Sequence, residues 1–217
     1  MSLTKSNLQK LYRQRAKNYD LSANLYYLIG FREAKYRKLA ISTLDLSEAN
    51  TVVEIGCGTG LNFGYVLDYI GDRGKLIGID LTDAMLERAK ERVKKNNWDN
   101  VELIRVDAAE YTLPRDINAV YSTFALTLVP EYEEIISNIE KSLQVGGRLV
   151  ILDLKKPGKW PLWLVKIGVL ITRPFGVSLD LANRKLWEVM KKYFKNVEVQ
   201  EIYGGFAYIA VSEKRGI

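Results

Sequence analysis

Histidine is absent from this chain of 217 residues, and cysteine occurs once, at Cys57. The chain therefore has no imidazole for a metal site and no Ser-His or Cys-His pair for nucleophilic catalysis. A single cysteine also excludes a disulfide framework. The first eleven residues contain no apolar run of the signal-peptide type, which predicts a cytoplasmic protein. The apolar stretch 160–171 is interrupted by Lys166 and is shorter than the roughly 20 residues of a membrane-spanning helix.

The apolar fraction, 47%, is sufficient for one domain with a full core. Helical and extended patterns alternate along the chain, which predicts an α/β fold around a mostly parallel sheet. We expect strands at 51–55, 75–80, 101–106, 117–123 and 147–154, and helices at 61–71, 82–96 and 131–143. Gly146-Gly147 is expected to end the last of these helices and to open the fifth strand. The segments 196–203 and 206–211 flank Gly204-Gly205, which predicts a terminal antiparallel hairpin.

The most informative segment is 51–61, Thr-Val-Val-Glu-Ile-Gly-Cys-Gly-Thr-Gly-Leu. It predicts a strand, then a glycine turn whose backbone can adopt positive φ and approach a ligand closely. The following helix would point its N-terminal amides at that ligand. Leu61 stands where a dinucleotide fingerprint has glycine, and the Gly-Lys-Ser/Thr of a phosphate loop is missing. Glu54 would repel a pyrophosphate, so the motif favours a cationic nucleoside.

Two more acidic residues close the next predicted strands, Asp80 and Asp107. Ligands of open α/β sheets bind outside the carboxyl ends of the strands, where a carboxylate can accept hydrogen bonds from ribose hydroxyls. Glu54, Asp80 and Asp107 are therefore predicted to line one crevice. The alternative is that these carboxylates are solvated or cap helices.

The motif Glu54-x-Gly56-x-Gly58-x-Gly60, within a match from Thr51 to Asp153, resembles the class I S-adenosylmethionine-dependent methyltransferases. This resemblance implies a Rossmann-like, seven-stranded methyltransferase sheet with helices on both faces, N-terminal helices and a C-terminal antiparallel hairpin. It also implies S-adenosylmethionine as the cofactor and S-adenosylhomocysteine as the product. The residues that it assigns to cofactor binding are Tyr19, Glu54, Gly56, Gly58, Thr59, Gly60, Asp80, Leu81, Asp107, Ala108 and Thr123.

The resemblance also implies a role for each part of this set. Glu54 and the glycine turn would hold the methionine part, and Asp80 would hold the ribose. Leu81 would pack on the adenine, whose amino edge would contact Asp107 and Ala108. Thr123 would lie near the methionine carboxylate. Tyr19 would help to close the pocket, although packing in the core is an equal alternative for this residue.

We expect a single domain over 1–217. Its predicted parts are an N-terminal helical cap at 1–48, a cofactor-binding core at 51–154, an apolar lid insertion at 155–180, and a helix with the terminal hairpin at 181–217. No metal is expected.

The first 40 residues hold nine basic and two acidic side chains, a net charge of +7 against +6 for the whole chain. Aromatic residues are interleaved with these charges: Tyr12, Tyr19, Tyr26, Tyr27, Phe31 and Tyr36. Basic amphipathic helices of this kind suit an anionic membrane surface. Trp160 and Trp163, with lysines beside them, favour the headgroup region for 155–175. The alternatives are a solvated helix face at 1–40 and a buried helix at 155–175.

Tyr19-Asp20 followed by an aromatic-rich segment resembles the quinone-biosynthesis C-methyltransferases and the bacterial phosphatidylethanolamine N-methyltransferases. This resemblance implies methyl transfer to a hydrophobic or lipid-like small molecule, of the phospholipid amine or quinone type, by a cytoplasmic enzyme that associates with membranes. The sequence singles out no catalytic residue, because Asp, Glu, Tyr or water would have to serve as the base.

Two other functions remain open. One is an RNA or protein methyltransferase that uses the basic N-terminal helices to bind phosphates. Nucleic acid is not the expected partner, because Thr123-Phe-Ala-Leu stands where such enzymes carry a motif of the Asn-Pro-Pro-Tyr type. The other is an S-adenosylmethionine-binding protein without catalysis.

Overall fold

A computed structural model of the chain describes residues 5–19, 30–158, 160, 181 and 183–216. The strands are β1 (Thr51–Ile55), β2 (Lys75–Asp80), β3 (Val101–Arg105), β4 (Ile117–Thr123), β5 (Leu143–Leu154), β6 (Val197–Ile202) and β7 (Ala207–Glu213). The α-helices are α1 (Lys5–Arg15), α2 (Glu33–Ser42), α3 (Phe63–Ile70), α4 (Asp83–Asn96), α5 (Tyr132–Ser142) and α6 (Leu186–Tyr193). Single 3-10 turns occupy Ala16–Asn18, Leu126–Leu128 and Tyr203–Gly205.

The seven strands form one sheet in the order β3-β2-β1-β4-β5-β7-β6. The first five strands pair in parallel, whereas β7 is antiparallel to both β5 and β6. The predicted Rossmann-like sheet and its terminal antiparallel hairpin are therefore confirmed. Strand order reverses between β1 and β4, because the chain first builds β2 and β3 on one side of β1 and then crosses to the other. Ligands of such sheets bind at this reversal.

The sheet separates two apolar cores, since successive side chains of a strand point to opposite faces. Val53 belongs to the face covered by α5 and α6, which contribute Ile139 and Met190 among others. Val52 belongs to the other face, where α2, α3 and α4 pack, with Phe63 among the fully buried side chains. The predicted helices on both faces are thus present. The parallel pairing of the first five strands places their carboxyl ends at one edge of the sheet.

The fifth strand begins earlier than the glycine pair predicts. It starts at Leu143, directly after α5, and pairs with Ile117 before the register shifts at a bulge. Gly146 has a φ of +83°, and a Cβ at Gly147 would come within about 3 Å of the carbonyl oxygens of Ile117 and Asn118. The two glycines therefore form the bulge inside the strand rather than its boundary.

Some of the predicted segments lie outside the described residues. This applies to most of the predicted lid at 155–180, including Trp163, and to Tyr26 and Tyr27 of the cap. In the part of the chain that the structure describes, no helix combines the length and the apolar character needed to cross a bilayer. The same residues contain no group of three or more carboxylate, cysteine or histidine side chains that could hold a metal.

The core on the α5 side should be sensitive to loss of volume. Ile139 is fully buried, so we expect Ile139→Ala to lower the free energy of unfolding by about 2–5 kcal/mol through lost apolar burial and a residual cavity. Val145, which is 66% exposed, is the control. Val145→Ala should change the free energy of unfolding by less than about 1 kcal/mol. Urea denaturation measures both. Equal effects would contradict the assigned core.

Candidate functional site

A cavity opens at the carboxyl ends of the parallel strands, where the strand order reverses. It contains about 880 Å³ of space that is free of atoms, including its open mouth, a volume suited to a small-molecule ligand. Eight of the eleven predicted binding residues line it: Tyr19, Gly56, Gly58, Asp80, Leu81, Asp107, Ala108 and Thr123. The tertiary structure therefore brings together residues from the cap and from four strand ends around one volume.

Asp80 joins the ends of β1 and β2. Its Oδ2 accepts the backbone N–H of Gly58 at 2.9 Å, and its Oδ1 accepts the N–H of Thr82 at 2.8 Å. Burial raises the pKa of this carboxyl, although both N–H donors oppose the shift. Each carboxylate oxygen has further lone-pair capacity, so Asp80 can hold the turn and still accept hydrogen bonds from a ligand.

Asp107 is paired with the N-terminal helix. Its Oδ2 lies 2.7 Å from the Nζ of Lys5, which also lies 2.8 Å from Glu131. Its Oδ1 accepts the N–H of Ala109 at 3.0 Å. Burial would raise the pKa of Asp107, but the Lys5 ammonium and the Ala109 N–H outweigh it and hold the pKa below its ordinary value.

Glu54 lies behind the cavity wall rather than in it. It is 1% exposed, and both carboxylate oxygens already accept hydrogen bonds, from the amide of Asn62 at 2.5 Å and the hydroxyl of Tyr121 at 2.7 Å. Burial raises the pKa of Glu54 to about 7. In the structure this side chain is directed at Asn62 and Tyr121, and its role in holding the methionine part stays a prediction.

Thr59 and Gly60 also lie outside the cavity lining. The carbonyl oxygen of Thr59 accepts the Nε–H of Arg92 at 2.9 Å. Gly60 has a φ of +75°, and a Cβ there would meet the ring of Phe63 at 2.5 Å. These two residues shape the turn from behind, where α3 packs closely against it.

Arg37 is a polar residue of this site that the sequence analysis placed only among the basic charges of the cap. It is buried and paired with Glu33, one helical turn earlier. Its Nη1 donates to the hydroxyl oxygen of Thr123 at 2.5 Å and to the side-chain oxygen of Asn62 at 3.2 Å. The Glu33/Arg37 spacing of four residues was the available signal, but a sequence cannot distinguish a buried pair from a solvated one.

The hydroxyl of Thr123 is left with its proton to donate. Its oxygen accepts from Arg37 and, at 2.9 Å, from the Asn62 amide, so both lone pairs are used. Among the described residues, no acceptor is found for its own O–H. Because Thr123 also lines the cavity, it can donate to an acceptor group of a bound ligand.

Helix α1 covers the cavity and is held mainly by polar contacts. None of its residues is buried. The side-chain amide of Gln9 donates to the carbonyl oxygen of Leu81 at 3.1 Å, and Arg13 makes two hydrogen bonds to Asp83, at 2.9 and 2.6 Å. The ring of Tyr19 lies 6.2 Å from that of Tyr12, and both line the cavity. The N-terminal residues thus form one side of the site.

The buried carboxyl of Glu54 should give stability a distinct pH dependence. Its pKa rises from an ordinary value of 4.5 to about 7 on folding, so the folded state binds the proton more tightly than the unfolded chain does. Its contribution to the free energy of unfolding therefore falls as pH rises from about 4.5 to 7 and is constant outside that window.

We expect Glu54→Gln to remove this dependence. The free energy of unfolding of the variant minus that of the wild type should therefore increase as pH rises from ~pH 5 to ~pH 8. Urea denaturation of both proteins at several pH values measures this difference. Burial also raises the pKa of Asp153, but that group is present in both proteins, so its effect cancels in the difference. A stability difference that is independent of pH would refute the assignment.

Comparison with known proteins agrees with this geometry. Residues 52–147 match a family described as a methyltransferase domain. The chain is similar to a demethylmenaquinone methyltransferase of Listeria welshimeri, with 28% identity over 152 residues. That similarity covers 69% of this chain and 63% of the relative, so the chain spans less than two thirds of the length of this curated relative.

Solved structures share the fold. A SAM-dependent methyltransferase from Aquifex aeolicus matches with a TM-score of 0.60 and 20% identity, over 81% of this chain and 88% of that one. A phosphoethanolamine N-methyltransferase 2 of Haemonchus contortus, solved with phosphomonomethylethanolamine and S-adenosylhomocysteine, matches with a TM-score of 0.67 and 18% identity. That match covers 83% of this chain and 53% of the other.

Proposed function

We propose that this chain is a class I S-adenosylmethionine-dependent methyltransferase that transfers the methyl group of its cofactor to a hydrophobic or lipid-like small molecule. The observation that carries the proposal is the gathering of eight predicted binding residues around one cavity at the strand-order reversal. Acceptors of the quinone or phospholipid amine type are the chemical class that we favour.

Different residues of the cavity would contact the ribose, the adenine and the methionine part of the donor. In the proposed arrangement, the Asp80 carboxylate accepts the ribose hydroxyls, and Leu81 packs on the adenine. Asp107 and Ala108 contact the adenine amino edge. Thr123 donates its O–H to the methionine carboxylate, with the Arg37 guanidinium behind it adding favourable charge.

Residues outside the cavity would act through the turn. Glu54 holds Asn62 and Tyr121 in place, and Asn62 in turn donates to the hydroxyl oxygen of Thr123. Thr59 and Gly60 keep the turn packed on α3. These three residues therefore support the methionine end from behind rather than contact it.

Methyl transfer needs little covalent chemistry from the protein. The sulfonium already activates its methyl group, so the enzyme contributes mainly by aligning donor and acceptor and by excluding water. The cavity walls are largely apolar, and α1 covers the opening. Both features favour a dry, in-line displacement.

An apolar acceptor is supported by the aromatic side chains beyond Phe124. The Phe124 ring lines the cavity, and the Phe31 ring packs against it with centroids 6.0 Å apart. Tyr203 continues the cluster, 5.1 Å from Phe31, followed by Trp160 at 6.3 Å from Tyr203. The Listeria relative is named a demethylmenaquinone methyltransferase, which also favours a quinone-type acceptor.

Asp80 tests the donor site. We expect Asp80→Ala to weaken S-adenosylhomocysteine binding by about 1–3 kcal/mol, because hydrogen bonds to a charged group are lost. Isothermal titration calorimetry measures the affinity. Asp72→Ala removes an exposed carboxylate just before β2, at the opposite edge of the sheet, and should leave the affinity unchanged. Undiminished binding by Asp80→Ala, or strong heat with NAD instead, would contradict the donor assignment.

We further propose that the basic cap meets an anionic membrane surface. Lys10 of α1 and Lys35 of α2 are exposed, as are several neighbouring basic residues. A juxtamembrane Lys or Arg contributes on the order of 1 kcal/mol of attraction to anionic lipid. Segment 155–175 would add its tryptophans to this contact. Trp160 itself stacks on Phe206 with centroids 5.7 Å apart, so its ring also packs within the protein.

Flotation with phosphatidylserine-containing vesicles tests this contact. We expect Lys10→Glu with Lys35→Glu to lower the bound fraction about tenfold or more, because repulsion replaces attraction at two sites. The matched control is Lys94→Glu with Lys95→Glu, two exposed lysines of α4 with the same change in charge, which should float like the wild type.

Two results would reverse the ranking of functions. Absence of vesicle binding together with tight, salt-dependent tRNA binding would favour an RNA methyltransferase. Failure to transfer a labelled methyl group into lipid extract, despite donor binding, would favour a protein that only binds the cofactor.

A further inference from the structure

One wall of the cavity is a short segment after β4, Phe124–Val129, here called the wall loop. Phe124, Ala125, Leu128 and Val129 all line the cavity. Phe124 has a φ of +57°, a left-handed conformation that is unfavourable for a residue with a side chain. The wall loop therefore needs contacts from elsewhere to keep its shape.

The wall loop also packs against the glycine turn. A Cβ at Gly56 would collide with the Cβ of Ala125, so the Ala125 methyl group packs directly against the backbone of Gly56. Any displacement of the wall loop would move the surface that faces the donor and open or close the gap at Gly56.

Two charged side chains hold the backbone of Thr127, in the middle of this loop, from opposite sides. The Oδ2 of Asp153 accepts the Thr127 N–H at 3.1 Å. The Nη1 of Arg184 donates to the Thr127 carbonyl oxygen at 2.6 Å and to that of Val129 at 3.1 Å. Hydrogen bonds to charged groups are the strongest that a backbone amide makes.

Both charged groups are themselves fixed. Asp153 is 4% exposed, and its Oδ1 accepts the Leu154 N–H at 2.8 Å. The guanidinium of Arg184 lies 5.3 Å from the centre of the Tyr132 ring, at the start of α5. Neither residue lines the cavity, so neither is placed to touch the donor.

We propose that Asp153 and Arg184 are positioning residues of the methyltransferase, which clamp the Thr127 peptide and thereby hold the wall loop against the glycine turn in the donor-binding geometry. The inference rests on the donor site proposed above but not on the identity of the acceptor. It assigns no direct contact with either substrate to these two residues.

Charge on Asp153 makes the clamp dependent on pH. Burial raises the pKa of Asp153 to about 6, and hydrogen bonds from Thr127 and Leu154 oppose that rise. The charged form accepts the Thr127 N–H best, so the clamp is complete above about pH 6 and weakens below it. Tyr208 of β7 faces Asp153, and burial raises the pKa of Tyr208 well above its ordinary value, so it stays neutral. Arg184 is the charged group on the other side of Thr127.

The test measures S-adenosylhomocysteine affinity by calorimetry on the full chain. We expect Asp153→Asn and Arg184→Gln each to weaken binding about tenfold at ~pH 7.5. Arg184→Lys should recover part of the loss, because an ammonium can reach one of the two carbonyl oxygens but not both. The double variant should be little weaker than either single variant, since both act through one peptide group.

Lys185→Gln is the matched control. Lys185 is exposed and follows Arg184 directly, so this substitution removes the same positive charge from the same segment without touching the Thr127 peptide. It should therefore leave donor affinity unchanged. A loss equal to that of Arg184→Gln would show that the loss of positive charge, and not the clamp, lowers the affinity, and it would overturn the proposal.

Two readouts separate positioning from simple stability. The affinity advantage of the wild type over Asp153→Asn should disappear as pH falls through about 6, whereas a pH-independent ratio contradicts the clamp. Hydrogen exchange at the Thr127 amide should accelerate in Arg184→Gln, although that amide bonds to Asp153 and not to Arg184. This second readout decides the matter if Asp153→Asn does not fold. Absence of donor binding by the wild type would instead remove the proposed donor site itself.

Discussion

The contact between the Asp80 carboxylate and the Gly58 amide is the interaction on which the site depends. It joins the turn after β1 to the end of β2, and it places a charged acceptor beside a stretch of backbone without side chains. Only adjacent parallel strands that end at the same edge allow this contact, because their carboxyl ends then lie side by side. The sheet is therefore the means by which two sequence-distant segments form one binding surface.

Behind that surface lies a second layer of buried polar groups. Glu33, Arg37, Asn62, Glu54 and Tyr121 are linked by hydrogen bonds that end at the Thr123 hydroxyl. Buried polar groups cost free energy unless each finds a partner, and here the partners come from α2, the turn, β1 and β4. Of these groups, only Thr123 would contact the methionine end of the proposed donor. The other residues of the layer would fix the position of the Thr123 hydroxyl without contacting the donor.

Several features could be predicted from local patterns. The bounds of β1, β2 and β4, the helices between them and the terminal hairpin follow from short-range periodicity and glycine turns, and the structure confirms them. The predicted start of β5 was wrong, since Gly146-Gly147 is typical both of a helix end and of a strand bulge. The two possibilities differ in how closely the neighbouring strand β4 approaches the glycines, and the local sequence does not give that distance.

The sequence by itself determined the fold class, the cofactor class and eight of the residues that line the cavity, because a glycine turn and acidic strand ends are local and positionally specific. Only the tertiary structure decided which acidic side chains face the cavity. Glu54 and Asp80 both stand at strand ends, yet packing turns one inward to Tyr121 and leaves the other at the opening. It likewise decided that Arg37 is buried while Lys35 is exposed. Burial depends on what packs against a side chain from far along the chain, and no local pattern records that.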